Sequence, residues 1–133
     1  MYKVLVLEDD SRRIFKFRQR FLESGIVPVF VDTAKDCIEY LGKEKFNCIF
    51  LDHDLGGEIY VDVNNVNTGS AVARWMNSNE NLNSDTIAVI HSFNPAGAKY
   101  MNRLIKNSVI VPAVWEKDIF EKTVNIDKEE EYK

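Results

Sequence analysis

Both histidines of this 133-residue chain, and two of its acidic clusters, follow short apolar runs. Val4 to Leu7 ends in Glu8-Asp9-Asp10, Phe46 to Leu51 ends in Asp52-His53-Asp54, and Ile87 to Ile90 ends in His91-Ser92-x-Asn94. Carboxylates gathered from two such ends repel one another unless a cation or a proton lies between them. Oxygen ligands with room for water suit Mg²⁺ or Mn²⁺. Asp9, Asp10 and Asp52, with Asp54 beside them, are therefore candidates for a metal or phosphate site; the plainer alternative leaves the first acids as solvated loop residues or helix caps. Histidine titrates near neutrality, so His53 and His91 can serve as general base and general acid next to Asp54. The alternative makes both of them hydrogen-bonded loop anchors.

Two further features concern anions. Asn94-Pro95-Ala96-Gly97 opens a helix, where free N–H groups, the positive dipole end and small residues let a phosphate approach. Ser92, Asn94 and Gly97 are thus candidate phosphate contacts. The first helix carries Arg12, Arg13, Lys16, Arg18 and Arg20. They form either a solvated face or a basic strip for RNA or nucleotide phosphate, with Arg12 and Arg13 nearest the acids.

The elements that must position these residues alternate in type. Val4 to Leu7 is continuously apolar, as in a strand buried on both faces. Ser11 is expected to cap a helix reaching about Ser24, stopped by Gly25, before a second strand at Val27 to Val31. Thr33 with Asp36 has a capping-box spacing, and Ala34, Cys37, Ile38 and Leu41 follow at i, i+3, i+4, i+7. A third strand is expected over Phe46 to Leu51. Thr68 caps a helix with Val72, Trp75 and Met76 on it. A fourth strand covers Ile87 to Ile90, and Pro95, at a first helical position where no N–H is missed, opens a helix with Ala98, Met101 and Ile105 on one face. A fifth strand is expected at Val109 to Val114, and a short helix from Asp118 to about Val124. Strands alternating with helices imply right-handed crossovers and a parallel sheet covered on both faces. Ligands of such sheets bind outside the carboxyl ends of the strands, where the acids and histidines fall.

Gly56 to Asn67 is long for a strand-to-helix connection. Its segment Glu58 to Val63 alternates in polarity, as a small hairpin over the crevice would. Such a hairpin is either a lid or decoration. Residues 1–126 are expected to form one domain and 127–133 a charged tail. A net charge of -4, with 45% hydrophobic and 29% charged residues, describes an ordinary globular chain without a global pull toward nucleic acid. No apolar run is long enough to span a bilayer and the N-terminal residues enter a strand directly, so a cytoplasmic protein without a signal peptide or membrane partner is expected. Cys37 and Cys48 are expected to be reduced core residues.

Val4-Leu5-Val6-Leu7-Glu8-Asp9-Asp10 and Asp52 after the third strand resemble the receiver domains of response regulators. That resemblance implies an acidic pair that binds Mg²⁺, Asp52 as phosphoacceptor, Ser92 in the place of the switch residue, and a protein partner in signalling. The chain departs from the pattern at Val111, where receivers carry a lysine. Leu51-Asp52-His53-Asp54-Leu55-Gly56, Thr68-Gly69 and His91-Ser92-x-Asn94-Pro95-x-Gly97-x-x-x-Met101 are similar, in the same order, to signatures of cyclic-phosphate processing receiver domains. This resemblance implies a flavodoxin-like α/β/α fold with a five-stranded parallel sheet of order 2-1-3-4-5. It further implies a phosphoesterase acting on terminal cyclic phosphates of RNA or nucleotides. Asp9, Asp10 and Asp52 would hold a divalent metal, His53, His91 and Asp54 would move protons, and Ser92, Asn94, Gly97 and Arg13 would orient the phosphate. A signalling receiver phosphorylated on Asp52 and a catalytically silent binding module are the alternatives.

Overall fold

A computed structural model of the protein describes residues 2–123. Its elements run β1 (Val4–Leu7), α1 (Ser11–Ser24), β2 (Val29–Val31), α2 (Ala34–Lys43), β3 (Cys48–Leu51), α3 (Gly69–Ser78), α4 (Glu80–Asn83), β4 (Ile87–Ile90), α5 (Pro95–Leu104) and β5 (Ser108–Ile110). Residues 117–123 are helical as well. The strands form one parallel sheet in the order β2-β1-β3-β4-β5. The expected tail at 127–133 and the end of the last helix at Val124 lie outside the described residues.

The central strands are apolar throughout because each of their faces is covered by helices. On one face Leu5, Leu7, Ile49, Leu51, Ala88 and Ile90 pack against α2, α3 and α5. On the other, Val4, Val6, Phe50 and Val89 meet Phe17 and Phe21 of α1, with Trp115 and Phe120. That second layer is aromatic. Phe21 and Phe120 meet edge to face with centroids 4.9 Å apart, and Phe50 stacks on Phe120. Each fully buried phenylalanine contributes about 2–3 kcal/mol, so this layer fixes α1 firmly on the sheet. Cys37 and Cys48 are both buried.

Several boundaries depart from the expected ones, each for a local reason. The N-cap of α1 is Asp10 rather than Ser11, its side chain accepting from the amides of Arg12 and Arg13. β2 begins at Val29 because Pro28 has no N–H for the ladder and Val27 is exposed. β3 starts at Cys48, not Phe46. β5 ends at Ile110 rather than Val114: Val111 N–H makes one last bond to Ile90, Pro112 lacks a donor, and Ala113 turns at a φ of 56°. The short helix α4 carried no periodic signal. Thr33, Thr68 and Asn94 cap α2, α3 and α5 as their spacing indicates.

The hairpin expected at Glu58 to Val63 is absent. The amides of Tyr60 and Val61 donate to the Asp54 carboxylate at 2.6 and 3.1 Å instead of to a partner strand. An isolated bridge between Asp54 and Thr68 is the only β pairing in this stretch. Among the described residues no helix is long and apolar enough to cross a membrane.

Gly69 and Gly42 make opposite demands. A Cβ on Gly69 would strike the backbone carbonyl of Asp52 and the Met101 sulfur, whereas one on Gly42, inside α2, would meet only Trp75 at 3.9 Å. Gly69→Ala is expected to destabilise the protein by at least about 2 kcal/mol, since backbone cannot yield cheaply. Gly42→Ala should stabilise it by about 0.5–1 kcal/mol through helix propensity. Chemical denaturation of the two variants beside the parent checks both signs.

Candidate active site

The register Leu7↔Leu51↔Ile90 lines up the carboxyl ends of the three central strands. The residues that follow them, Glu8, Asp52 and His91, are all buried. Glu8 therefore points into the protein rather than into solvent. Its Oε2 accepts from the amides of Asp9 and Asp10, at 3.0 and 3.2 Å, and its Oε1 lies 3.2 Å from Nε2 of His91. Asp52 Oδ1 accepts from the His53 amide at 2.8 Å. Arg13 reaches down from α1 and sets one guanidinium nitrogen 3.7 Å from both Glu8 and Asp52. The same guanidinium lies over the rings of Trp115 and Phe93, 5.1 and 5.4 Å from their centroids. Those rings screen it from water and strengthen its hold on the two acids.

A second cluster lies toward α5. His53 is fully buried, with Nδ1 2.8 Å from Asp54 Oδ1. Asn94 joins it: Oδ1 accepts from the Gly97 amide, while Nδ2 donates to Asp54 Oδ1 at 3.0 Å and to the Val61 carbonyl at 3.1 Å. Both Nδ2 protons are thereby used, so the 3.3 Å approach of Nδ2 to His53 Nδ1 is a contact between two donors. A Cβ on Gly97 would overlap the His53 ring, so this glycine lets α5 lie directly on the imidazole. Ser92 Oγ accepts from the Asn94 amide and shapes the turn into α5.

Burial and the nearby charge of Glu8 push Asp52 up to about 8. Burial also pushes Glu8 up, but the hydrogen bond and charge of His91, the Asp10 amide and Arg13 outweigh it and hold Glu8 below the ordinary carboxylate range. Asp54 is lowered too, because His53, Asn94 and the amides of Tyr60 and Val61 overcome its partial burial. Two acids two residues apart thus differ in protonation at neutral pH. Asp52 holds a proton and Asp54 is ionised, which makes Nδ1 the protonated nitrogen of His53. Nε2 of His53 and Nδ1 of His91 have no hydrogen-bond partner among the described residues.

A crevice of about 540 Å³ opens over these groups, lined by Asp9, Arg13, Asp52, Asp54, Tyr60 and Phe93, among others. Its outer wall is the loop after β3, hung on the site by Gly57 N–H to Asp9 Oδ2 at 3.0 Å and by the two amides on Asp54. Among the residues singled out in the sequence, Asp9, Arg13, Asp52, Asp54 and Ser92 line the crevice. Asp10 lines it as well, but its Oδ1 is committed to capping α1, and the amides of Arg13 and Arg12 keep it ionised against its slight burial. His53, His91, Asn94 and Gly97 stand behind the wall: His53 and Asn94 contact it through Asp54, while His91 bonds Glu8, which is itself enclosed. Glu8, Phe93 and Trp115 were not singled out. The signal for Glu8 is that it is the first residue past a strand buried on both faces, in register with Asp52.

Among the described residues, ligand atoms of Glu8, Asp52 and His91 lie within 4.8 Å of one another. Two carboxylates and an imidazole form a donor set that fits a divalent ion.

Residues 4–107 match the model of the cyclic-phosphate processing Receiver domain. No curated protein matches the chain. Solved structures that resemble it include the signal receiver domain of a repressor protein from Vibrio parahaemolyticus, with 19% identity, TM-score 0.72, and coverage of 95% of this chain and 88% of that one. A CheY-like response regulator receiver domain from Methanospirillum hungatei has 15% identity, TM-score 0.71, and coverage of 99% and 98%. The receiver domain of a sensor histidine kinase from Pseudomonas aeruginosa, with a magnesium ion coordinated in its active-site cleft, has 12% identity, TM-score 0.69, and coverage of 92% and 93%.

The protonation of Asp52 makes stability depend on pH. Its carboxyl is raised from 3.8 to about 8, so the folded state keeps a proton that the unfolded chain loses, and this contribution disappears as pH rises through the folded value. In metal-free buffer Asp52→Asn, which removes the buried charge, is expected to gain about 2 kcal/mol over the parent at pH 9. The gain should shrink toward pH 5. Thermal unfolding of both proteins across that range in the presence of a chelator checks it.

Proposed function

This chain belongs to the cyclic-phosphate processing receiver domain family, and we propose that it is a phosphoesterase-like enzyme that opens a terminal cyclic phosphate of RNA or of a nucleotide. One observation carries the reading: Asp52, Asp54 and Arg13 line a single crevice, and two enclosed contacts back them, His53 on Asp54 and the Glu8–His91 pair beside Asp52 and Arg13. Buried charges are costly, and a fold alone has no need of six ionisable side chains in one cluster.

In this reading a water in the crevice attacks phosphorus and the bond to one ribose oxygen breaks. Ionised Asp54 accepts the water's proton, held in position by the His53 N–H. The leaving oxygen takes the proton that the crowded Glu8–Asp52 pair retains at neutral pH, and His91 steadies Glu8 as the charge changes. The pair of acids with pKa values driven apart is the arrangement that general acid–base chemistry uses. Both histidines are enclosed, so they act through their carboxylates rather than on the substrate directly. Arg13 offsets the charge of the phosphoryl oxygens, and Ser92 lies beside them in the crevice. Asn94 and Gly97 belong to the support of His53 and Asp54. Glu8, Asp52 and His91 would hold Mg²⁺ or Mn²⁺ in place of that proton, and the ion would supply charge to neutralise the phosphate and stabilise the leaving oxygen. The nitrogen ligand favours Mn²⁺.

A second reading, a signalling receiver phosphorylated on Asp52, is favoured by the position of that residue at the end of β3 and by the receiver structures the chain resembles. The proton retained on Asp52 makes it a poor nucleophile without a metal, and Val111 supplies no cation from β5.

An RNA oligonucleotide ending in a 2′,3′-cyclic phosphate, incubated with the protein and Mn²⁺ or Mg²⁺, is expected to have its ring opened to a monoester. Asp54→Asn should slow this by about 10²–10⁴-fold. An intact ring at all pH values from 6 to 9, together with a mass increase on acetyl phosphate that Asp52→Asn abolishes, would sink the enzyme reading in favour of the receiver one.

Metal affinity carries its own pH signature, because an ion must displace the Asp52 proton. Binding of Mn²⁺, followed by calorimetry, is expected to tighten by up to about tenfold per pH unit up to about 8 and to level off above it.

A further inference from the structure

Several aromatic and apolar side chains at the mouth of the crevice contribute nothing to the core. Phe93 is 53% exposed and Tyr60 73% exposed, and both line the same cavity as Asp52 and Asp54. They come from different crossovers, Phe93 from the β4–α5 turn and Tyr60 from the β3–α3 loop. Tyr60 sits at a φ of 52°, a left-handed conformation that a bulky residue adopts only at some cost. The loop holds it there by donating the Tyr60 amide to Asp54. Phe93 has Arg13 over its ring and Trp115 edge-on at 5.7 Å, which fixes its orientation while half of the residue stays in water. Folding gains little from either ring at these positions.

We propose that Phe93 and Tyr60 form a nucleobase subsite, so that the ligand of the crevice is a nucleoside carrying the cyclic phosphate rather than a sugar cyclic phosphate alone. The proposal rests on the cyclic-phosphate reading above and adds what it leaves open, the recognition of the base. A planar base has an apolar face that stacks on aromatic rings whatever its identity, and such stacking is sequence-tolerant. Arg13 links the two halves of the site, with its guanidinium against Phe93 on one side and 3.7 Å from the Asp52 carboxylate on the other. A ligand with its base on Phe93 therefore brings its ribose and phosphate toward Arg13, Asp52 and Asp54. The volume of about 540 Å³ lies within the usual range of small-molecule sites and is wide enough for a single nucleotide. Phe93 and Tyr60 contribute binding and discrimination between ligands, and they take no part in proton transfer.

The test compares affinities in an Asp52→Asn background in metal-free buffer, which removes the proton donor so that ligand is not consumed and leaves the Asp54 carboxylate that holds the Tyr60 loop in place. The probes are adenosine 2′,3′-cyclic phosphate, its abasic counterpart methyl ribofuranoside 2′,3′-cyclic phosphate, and an RNA hexamer ending in the same cyclic group. Calorimetry is expected to show the nucleotide binding about 10- to 100-fold more tightly than the abasic ester. Phe93→Ala and Tyr60→Gly should each lose about tenfold for the nucleotide and markedly less for the abasic ester, so that the difference between the two ligands shrinks. Tyr60→Gly also relieves the left-handed backbone, so its thermal stability should equal or exceed that of the parent, and lost affinity cannot then be put down to unfolding. RNA binding at least as well as the mononucleotide marks an RNA end as the source of the ligand, and weaker RNA binding marks a free nucleotide. Equal affinities for nucleotide and abasic ester, or variants that preserve the difference, would overturn the subsite while leaving the cyclic-phosphate reading intact. Failure of all the probes to bind, the abasic ester included, would remove both.

Discussion

The repulsion between Glu8 and Asp52 organises this molecule. Parallel pairing of β1 with β3 in the register Leu7↔Leu51 leaves no freedom in the matter: the next residue of each strand must lie beside the other, at the level where the sheet gives way to the crevice. Both are acids and both are buried. Two carboxylates so placed cannot both be ionised without a counter-charge. The surrounding residues answer that constraint one by one. His91 comes from the next strand to hydrogen-bond Glu8, Arg13 descends from α1 to touch both acids, and Asp52 keeps its proton. The aromatic layer belongs to the same answer, since Phe17 and Trp115 enclose the His91 ring and Trp115 also covers Arg13.

Helix packing on the other face of the sheet is tied to the second histidine. α5 approaches so closely that His53 occupies the space of a side chain at Gly97, and α3 approaches the backbone of Asp52 in the same way at Gly69. Asn94 turns this proximity into chemistry. One amide group caps α5, holds Asp54 and binds the loop at Val61, so that helix, acid and crevice wall move together or not at all. The long connection after β3 gains order from these bonds rather than from any pairing of its own. A loop whose amides are spent on site carboxylates is sensitive to the charge of the site, because protonating or neutralising Asp54 weakens the bonds that hold it.

The sheet was readable from sequence because its central strands are buried on both faces and therefore continuously apolar, and because α2, α3 and α5 begin at a Thr or Asn that caps them. Ends of strands were less readable: Pro28 and Pro112 trim β2 and β5, and an apolar pattern counts valines without asking which amides have partners. The alternation at Glu58 to Val63 suggested a hairpin because period-two patterns report side-chain direction, whereas the fate of the backbone donors depended on Asp54, a residue outside the segment. Convergence of the acids and histidines on one edge followed from topology alone. Their division of labour did not. Histidines that could be read as acid–base groups or as loop anchors are sealed behind carboxylates, Asp10 serves as a cap, and Glu8, which resembles a loop acid in the one-dimensional pattern, is fully enclosed. Burial of a strand-end residue depends on which helix crosses above it, and no local pattern carries that information.

The position of the cation has a further consequence. Val111 gives β5 no positive charge to offer the crevice, and β5 is the edge strand farthest from β2. Arg13 instead enters from α1, over the junction of β1 and β3, and reaches Glu8 as well as Asp52. A cation at the edge would balance only the nearer acid and would leave Glu8 to His91 alone. Placed between them, the guanidinium screens their mutual repulsion directly, and its contact with Phe93 carries that charge out to the rim of the crevice. Because the arginine is one-third exposed while the acids are not, it is the member of the cluster free to turn toward an arriving phosphate. On the proposed reading, the acid pair would then lose its counter-charge and would hold its proton more tightly or take up a metal ion. Anion binding in the crevice and cation or proton binding beneath it would thereby be coupled electrostatically through one side chain.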